Sequence, residues 1–580
     1  MARLTRRDFL KASALGMGAV AVSTGLAGCV LDSDSDDKRR VQFTHGVASG
    51  DPLQDSIILW TRAFPERGSK VKVGWEIATD ADFTSVVQSG TTEASEAHDY
   101  TLKVDARGLL PGQRYHYRFR ASGATSPVGT ASTLPEGSVD QVRLAVVSCA
   151  NYPAGYFHVY REIANQTDLD ALVHLGDYIY EYISEPGSYG AEDAETIGRT
   201  FPDDNNLEIL SLADYRRRYA VYREDPDLQL AHQRLPFIIV WDDHEVANDT
   251  WRNGAENHNT GEGEFEQRKL DALRAFFEWM PIRPAAEDNE EIIYRSFRFG
   301  NLVDLHMLDT RVIGRDQQLD YLDYLRKSGL NIEQFKQAVG DPNRTLLGAE
   351  QRLWLQNKLA TSTGQWQVLG QQVLMGRMNL PAELLLAIAT ETFDNLPATL
   401  QELATLKGMQ LQGMPLTEQQ QARLDTAAPY NLDAWDGYQA EREVVLGTAR
   451  QRNHNLVVLA GDTHNAWANN LKDKDGNQVG VEFATASVSS PGLEEYLQLP
   501  ESQIAGAEQG IGLLVDDLDY LNINQRGYMV VTFTPEEARA DWYFVDTVKQ
   551  QEYRLDDARE AARRTLPGSG QRTVLPVTGV

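Results

Sequence analysis

Apolar residues follow two regimes along this chain, and the change comes near residue 135. From about 42 to 134 they come in short runs or alternate with polar residues, with turn residues between. "DSIILWTR", "VKVGWEIAT", "YTLKVDARGL" and "RYHYRFRA" are the clearest stretches. A period of two marks a strand with one buried face. The pattern therefore predicts an all-β domain over 42–134, with Trp60 and Trp75 in its core. After a linker, "STLPEGSVDQ", longer apolar runs suited to buried strands take over: "VRLAVVSC", "DALVHLGD", "PFIIVWDDHE", "GNLVDLHMLDTR", "QWQVLGQQVL" and "NLVVLAGDTH". Helical stretches such as "GEFEQRKLDALRAFFEWM" separate them. That alternation predicts an α/β domain over 141–545, with sheets covered by helices. Residues 376–432, rich in Leu, Ala, Glu and Gln, read as a helical insertion able to cover a site. "GYMVVTFTPEEARADWYFVD" reads as a closing hairpin. Residues 546–580 read as a C-terminal tail, whose end "LPGSGQRTVLPVTGV" is expected to be loosely ordered or draped on the surface.

Tyr115 follows the Pro111-Gly112 turn in a way that resembles the tyrosine corner of fibronectin type III-like sandwiches. The first 28 residues resemble a twin-arginine export signal, with Arg6 and Arg7 ahead of a Gly- and Ala-rich apolar run. That run is too short for a membrane span. Leu26-Ala27-Gly28-Cys29 resembles a lipobox, so residues 29–41 read as a tether and Cys29 as a lipid attachment point. The expected setting is periplasmic or cell-surface, reached with the twin-arginine translocase as partner. A net charge of −29 excludes nucleic acid as a simple electrostatic partner. It leaves Cys29 as the one route to a membrane. The chain has 2 cysteines, so Cys149 is left as a lone thiol in an exported protein. A Cys29–Cys149 disulfide would tie a flexible tail to a buried strand end.

Four of the buried-strand patterns end in residues that bind metals. They end at Cys149, at Asp177, at Asp242-Asp243-His244-Glu245, and at Asp462-Thr463-His464. Open α/β sheets gather ligands outside the carboxyl ends of their strands. These ends would form one site if the strands are neighbours. Asp177 has two oxygens and can bridge two cations, and Tyr180 is within reach of the same ion.

The motifs "HLGDYIYEY", "WDDHE" and "GDTHNAW", in that order, resemble those of PhoD-type alkaline phosphatases, in the metallophosphoesterase superfamily. "FTHGVASGDP", "EWMPIR", "LDTR", "WDGYQAER" and "RGYMVVTF" strengthen the likeness, which spans roughly 42–545. The resemblance implies a metallophosphoesterase-type β-sandwich core flanked by helices, preceded by a fibronectin type III-like domain. It implies hydrolysis of phosphate monoesters, with diesters as the alternative, by metal-activated hydroxide. It also implies one ferric iron with Cys149 as a ligand, and two calcium ions. Asp177, Tyr180 and His464 suit the iron, while Asp243 and Asp462 favour calcium. Asp242 is a further ligand or an orienter of His244. His244 is expected to touch the substrate and protonate the leaving oxygen. Arg311 either binds phosphate with its planar fork or pairs internally with Asp309 or another acid. Glu245 and Asn248 are expected to stabilise the turn. His174 and His306 read as core residues, and Glu181 as packing or a further cation ligand. A purple acid phosphatase would carry Asn and an acid where this chain has Asp243 and Cys149. A non-catalytic lipoprotein that binds phosphate or a surface is the reading from another class.

Overall fold

The computed structural model describes residues 40–284, 291–326, 329–390 and 392–577. The export signal, the tether and Cys29 therefore lie outside the described residues, apart from the tether's last two positions. Two large sheets form the body. The first runs, edge to edge, through Leu575–Pro576, Ala561–Thr565, Ala538–Val545, Arg526–Phe533, Val142–Val147, Ala171–His174, Pro236–Ile239, Val47–Gly50, Ser56–Arg62 and Thr101–Arg107. The second runs through Arg295–Phe299, Val303–Met307, Trp366–Gln371, Asn455–Ala460, Gln478–Ala484, Ala466–Lys472 and Leu518–Asn522. The strands at the centre of each sheet are parallel. Their carboxyl ends therefore share an edge.

Side-chain period explains how the sheets stack. Along Asn455–Ala460, Val457 and Leu459 join the core between the two sheets. Leu456, Val458 and Ala460 point the other way, into a second core under the helices. A strand buried on both faces reads as an unbroken apolar run, and "NLVVLA" is one. The sheet-on-sheet core draws Leu144, Val146, Val173 and Ile238 from one side and Val303, Val368 and Val481 from the other. The helix Phe265–Trp279 buries Phe276 and Trp279 against it. The result is a β-sandwich flanked by helices, with an all-β region ahead of it.

The N-terminal all-β region is present as expected, and it shares strands with the first large sheet. The strands Lys70–Ala78, Val86–Ser95, Arg114–Ala121 and Gly129–Ser132 do form a sheet of their own. The tyrosine corner is there as well, the Leu110 N–H donating to the Tyr115 hydroxyl at 2.9 Å. But Val47–Gly50, Ser56–Arg62 and Thr101–Arg107 belong to the first catalytic sheet, through parallel pairing of Ser49 with Pro236. The strand Ser56–Arg62 has two faces. Ile57 and Leu59 pack into the N-terminal core. Trp60 packs into the catalytic core and donates its indole N–H to the Glu278 carbonyl at 2.8 Å. Trp75 is buried in the N-terminal core, as expected.

The C-terminal tail extends the first sheet. Ala561–Thr565 pairs antiparallel with the hairpin strand Ala538–Val545, and Leu575–Pro576 pairs with it in turn. Val574 is buried in the main core, and Arg572 bonds Asn453 and Asn455. Short Ala-Ala-Arg-Arg-Thr alternation is too polar to announce a strand that covers a sheet edge. The segment 376–432 is helical as expected, with helices Ala382–Ala389, Leu396–Leu411 and Glu418–Asp425. A two-stranded ladder, Asn379–Pro381 with Ala427–Pro429, closes its base. Among the described residues, no helix is long and apolar enough to cross a membrane.

Asp51 pins the two regions together. Its buried carboxylate accepts from Arg283 N at 2.8 Å and from Arg295 Nη2 at 2.7 Å. Removing one partner of such a pair strands the other charge. We expect Asp51→Ala to destabilise the protein by about 3 kcal/mol and to keep one thermal transition. A separate early melting of the N-terminal region, followed by its near-ultraviolet circular dichroism, would show instead that the two regions fold apart.

Candidate metal centre

Three neighbouring strands of the first sheet and one strand of the second deliver the site. Val142–Val147 leads to Cys149, Ala171–His174 to Asp177, Pro236–Ile239 to Asp242 and Asp243, and Asn455–Ala460 to Asp462 and His464. The backbone turns sharply at these ends. Cys149, Asp177, Asp462 and His464 all have φ between 55° and 62°, a region that non-glycine residues seldom adopt. Such conformations persist where the surroundings over-determine them. Glu245 supplies part of that constraint. Its buried carboxylate accepts the N–H groups of Tyr178 at 2.6 Å, Asp242 at 2.7 Å and Asp177 at 3.1 Å. One side chain thus stitches two strand ends together, which is the turn-stabilising role expected of it. Gly176 makes their approach possible. Its φ is 108°, and a Cβ there would lie 2.4 Å from Asp242 Cβ.

The ligand-type atoms form three overlapping groups, each with atoms within 4.8 Å of one another: Cys149, Asp177 and His464; Asp177, Asp243 and His244; and Asp242, Asp243 and Asp462. Asp177 belongs to the first two groups and Asp243 to the last two. Tyr180 joins the first, its hydroxyl donating to Asp177 Oδ2 at 3.1 Å, accepting from Ser490 Oγ at 2.7 Å and lying 3.3 Å from His464 Nε2. Cys149 is a free, fully buried thiol whose Sγ donates to Ser148 Oγ at 3.1 Å. Burial, and next the charge of Asp177, push its pKa well above the usual thiol value.

Cations fit this cluster. Asp177 Oδ1, Asp242 Oδ2 and Asp243 Oδ1 are buried with no hydrogen-bond partner, a condition that a buried carboxylate oxygen does not normally tolerate. Burial holds the Asp177 and Asp462 carboxyls well above the ordinary range, and neighbouring Asp residues add to it. A positive ion placed among them would reverse that shift. The donor sets differ along the cluster, with thiol, phenol, imidazole and carboxylate at one end and carboxylates alone at the other.

His244 lies beside the cluster and faces the pocket. Its Nδ1 sits 2.7 Å from Glu181 Oε2, which leaves Nε2 for the site. Burial works against a charged imidazole, but Asp243, Glu181 and Asp177 together hold its pKa well above the ordinary value. Glu181 is therefore an orienter, bound also by Asn248 N and Asn257 Nδ2. Its position inside an aromatic run concealed that role.

Arg311 takes the second of its two expected roles. Its guanidinium is completely buried, with Nε donating to Asp242 at 2.5 Å, Nη1 to Asp433 at 2.7 Å and Nη2 to Asp462 at 2.8 Å. The acid that its backbone N–H meets is Asp309. The catalytic assignment of Arg311 is thereby corrected: Asp242, Asp433 and Asp462 take its three nitrogens, and it does not line the pocket. Asp433 escaped the motif reading. It lies two residues before Trp435-Asp436-Gly437-Tyr438, a segment that carried the family likeness, and the short strand ahead of it, Ala427–Pro429, is no strong apolar run. Tyr189, 2.8 Å from His464 Nδ1, also escaped it. That residue sits in a loop between Gly187 and Gly190, where no periodicity points to a site. His174 and His306 are core residues as expected, burial lowering their pKa values to about 3 and about 4.

The profile described as "PhoD-like phosphatase" matches residues 144–542, and the profile "PhoD-like phosphatase, N-terminal domain" matches residues 28–135. Alkaline phosphatase D of Bacillus subtilis (strain 168) is 35% identical over 517 residues, covering 86% of this chain and 77% of its own. A solved structure titled "Structure of PhoD" superposes with a TM-score of 0.72 at 31% identity, covering 95% of this chain and 94% of that one.

Glu181 gives the site a direct test. Orienting partners of site residues typically contribute about 10–100-fold, so we expect Glu181→Gln to lower kcat by about that factor while KM and bound metal hold. Steady-state kinetics with metal analysis reads both. A loss of metal equal to the loss of rate would make Glu181 a ligand.

Proposed function

The chain belongs to the PhoD-like phosphatase family and is a phosphoesterase; from that premise we propose that it hydrolyses phosphate monoesters at the buried strand-end cluster, loaded with one ferric iron and two calcium ions. The observation that carries this reading is the run of three donor groups sharing Asp177 and Asp243. Iron is assigned to Asp177, Tyr180 and His464, whose carboxylate, phenolate and imidazole suit a highly charged ion, and to Cys149 because the family resemblance implies it. Calcium is assigned to the oxygen-rich end at Asp242, Asp243 and Asp462. Cations at such a cluster neutralise the ester's charge and lower the pKa of water.

The chain's own residues supply the rest. Asp177 and Asp243 hold neighbouring groups in register by belonging to two each. Glu181 fixes the His244 ring at Nδ1, so that Nε2 can hand a proton to the departing alcohol oxygen. Tyr180 is held in place by Ser490 and Asp177. Arg311 keeps Asp242, Asp433 and Asp462 from separating. A pocket of about 760 Å³ opens from His244 and His464, which has room for a second ester arm and favours a diester as the alternative substrate.

Metal analysis of the purified chain and hydrolysis of p-nitrophenyl phosphate at alkaline pH test the proposal together. We expect iron and calcium near one to two. Cys149→Ala should remove iron and lower kcat at least roughly 100-fold, more than the loss of an orienting partner produces. Full iron with full activity in that variant would end the role given to Cys149.

We propose further that Arg6 and Arg7 direct export to the periplasm or cell surface, with Cys29 as the lipid anchor. Changing both arginines to lysine should leave the protein in the cytoplasm on fractionation. Unchanged delivery would refute the route.

A further inference from the structure

The walls of the pocket that opens from the cluster combine apolar and acidic residues. Leu385, Ile388, Tyr430 and Leu432 come from the helical insertion, and Leu493 and Tyr496 join them. Ile388, Tyr430 and Leu493 also line a small apolar cavity of about 20 Å³, with Trp467 and Ile511. These three therefore have apolar backing as well as an apolar face. The lining also carries the carboxylates of Asp249, Glu256 and Asp320 and the amides of Gln317 and Gln318, with Trp251, Leu319, Tyr321 and Leu322 among them. Among the described residues, no lysine or arginine lines the pocket.

A phosphate ester must place its phosphorus at the inner end, beside His244 and His464. Its alcohol part then lies along these walls. A negative charge on that part would sit within a Debye length of fixed carboxylates, about 8 Å at physiological salt, and the cationic His244 is engaged at the inner end by Glu181 and the reacting group rather than by the alcohol part. An apolar alcohol part would gain from the apolar lining, roughly four-fold in affinity for each methylene buried. Sites that bind polyanionic substrates use arginine and lysine for the groups away from the reacting atom, and this pocket offers neither.

We infer that the enzyme selects phosphate esters whose alcohol part is apolar and carries no negative charge, with the apolar Ile388 and Tyr430 and the acidic Glu256 and Asp320 of the pocket lining setting that choice. The inference rests on the phosphatase reading and narrows its substrate class. Specificity here has an attractive half and a repulsive half, and each can be changed alone.

The metal-loaded full chain is assayed on n-octyl phosphate, below its micellar concentration, and on 3-phosphoglycerate. Both are monoesters of alkyl alcohols, so they differ chiefly in charge and apolar surface. We expect kcat/KM for n-octyl phosphate to exceed that for 3-phosphoglycerate at least about ten-fold, as binding differences of one to two methylenes and one charge allow. Ile388→Lys should lower the n-octyl phosphate value roughly ten-fold. Asp320→Lys and Glu256→Lys, both at exposed positions, should raise the 3-phosphoglycerate value several-fold. Equal kcat/KM for the two esters, or a ratio unmoved by all three variants, overturns the inference while leaving the phosphatase reading intact. Failure to hydrolyse these esters and p-nitrophenyl phosphate alike would overturn both.

Discussion

Like charges brought together out of water set the terms for this fold. Asp177, Asp242, Asp243, Asp433 and Asp462 converge where solvent cannot screen them, and an isolated buried carboxylate is among the most costly groups to desolvate. Three devices offset that repulsion. Arg311 places one cation at the centre of three of the acids. Glu245 commits its carboxylate to backbone N–H groups, which fixes the turns without adding a free charge to the cluster. The orphaned oxygens on Asp177, Asp242 and Asp243 then mark where further positive charge belongs. The family's chemistry and the electrostatics of folding ask for the same thing at the same place.

The sheets carry that load because their central strands are parallel and run toward one edge. Side chains at such ends cannot retreat into solvent, since apolar layers bury both faces of each strand. Positive φ at Cys149, Asp177, Asp462 and His464 shows the backbone bent to aim donors inward. Gly176 lets two strand ends approach until a single methyl group would not fit. The N-terminal strands Val47–Gly50 and Ser56–Arg62 extend this framework. They lengthen the sheet that bears three of the four donor-bearing ends.

Residues at the ends of strong apolar runs were legible from sequence, because a buried strand ending in Asp, Cys or His has few structural explanations. Cys149, Asp177, Asp243, Asp462 and His464 all fell to that argument. Long-range pairing was not legible. The polar strand Ala561–Thr565 and the pairing of Ser49 with Pro236 depend on partners far along the chain, and local pattern carries no record of them. Glu181 was hidden by its aromatic neighbours and Asp433 by the shortness of the strand before it, Ala427–Pro429. Both act through other side chains, so spacing alone could not assign them.

Arg311 shows why residue type mattered more than charge. A lysine would offer its three donors from a single nitrogen, a compact point charge. The guanidinium presents donors in several directions in one plane, and here Nε, Nη1 and Nη2 each meet a different carboxylate. Those carboxylates come from three separate parts of the chain, after Pro236–Ile239, beyond the helical insertion and after Asn455–Ala460. A fork so occupied, and fully buried, cannot also reach out to a phosphate. Its contribution to catalysis is to hold acids at fixed separation. The geometry that those acids present to a cation is therefore set by a residue that touches neither the substrate nor the pocket.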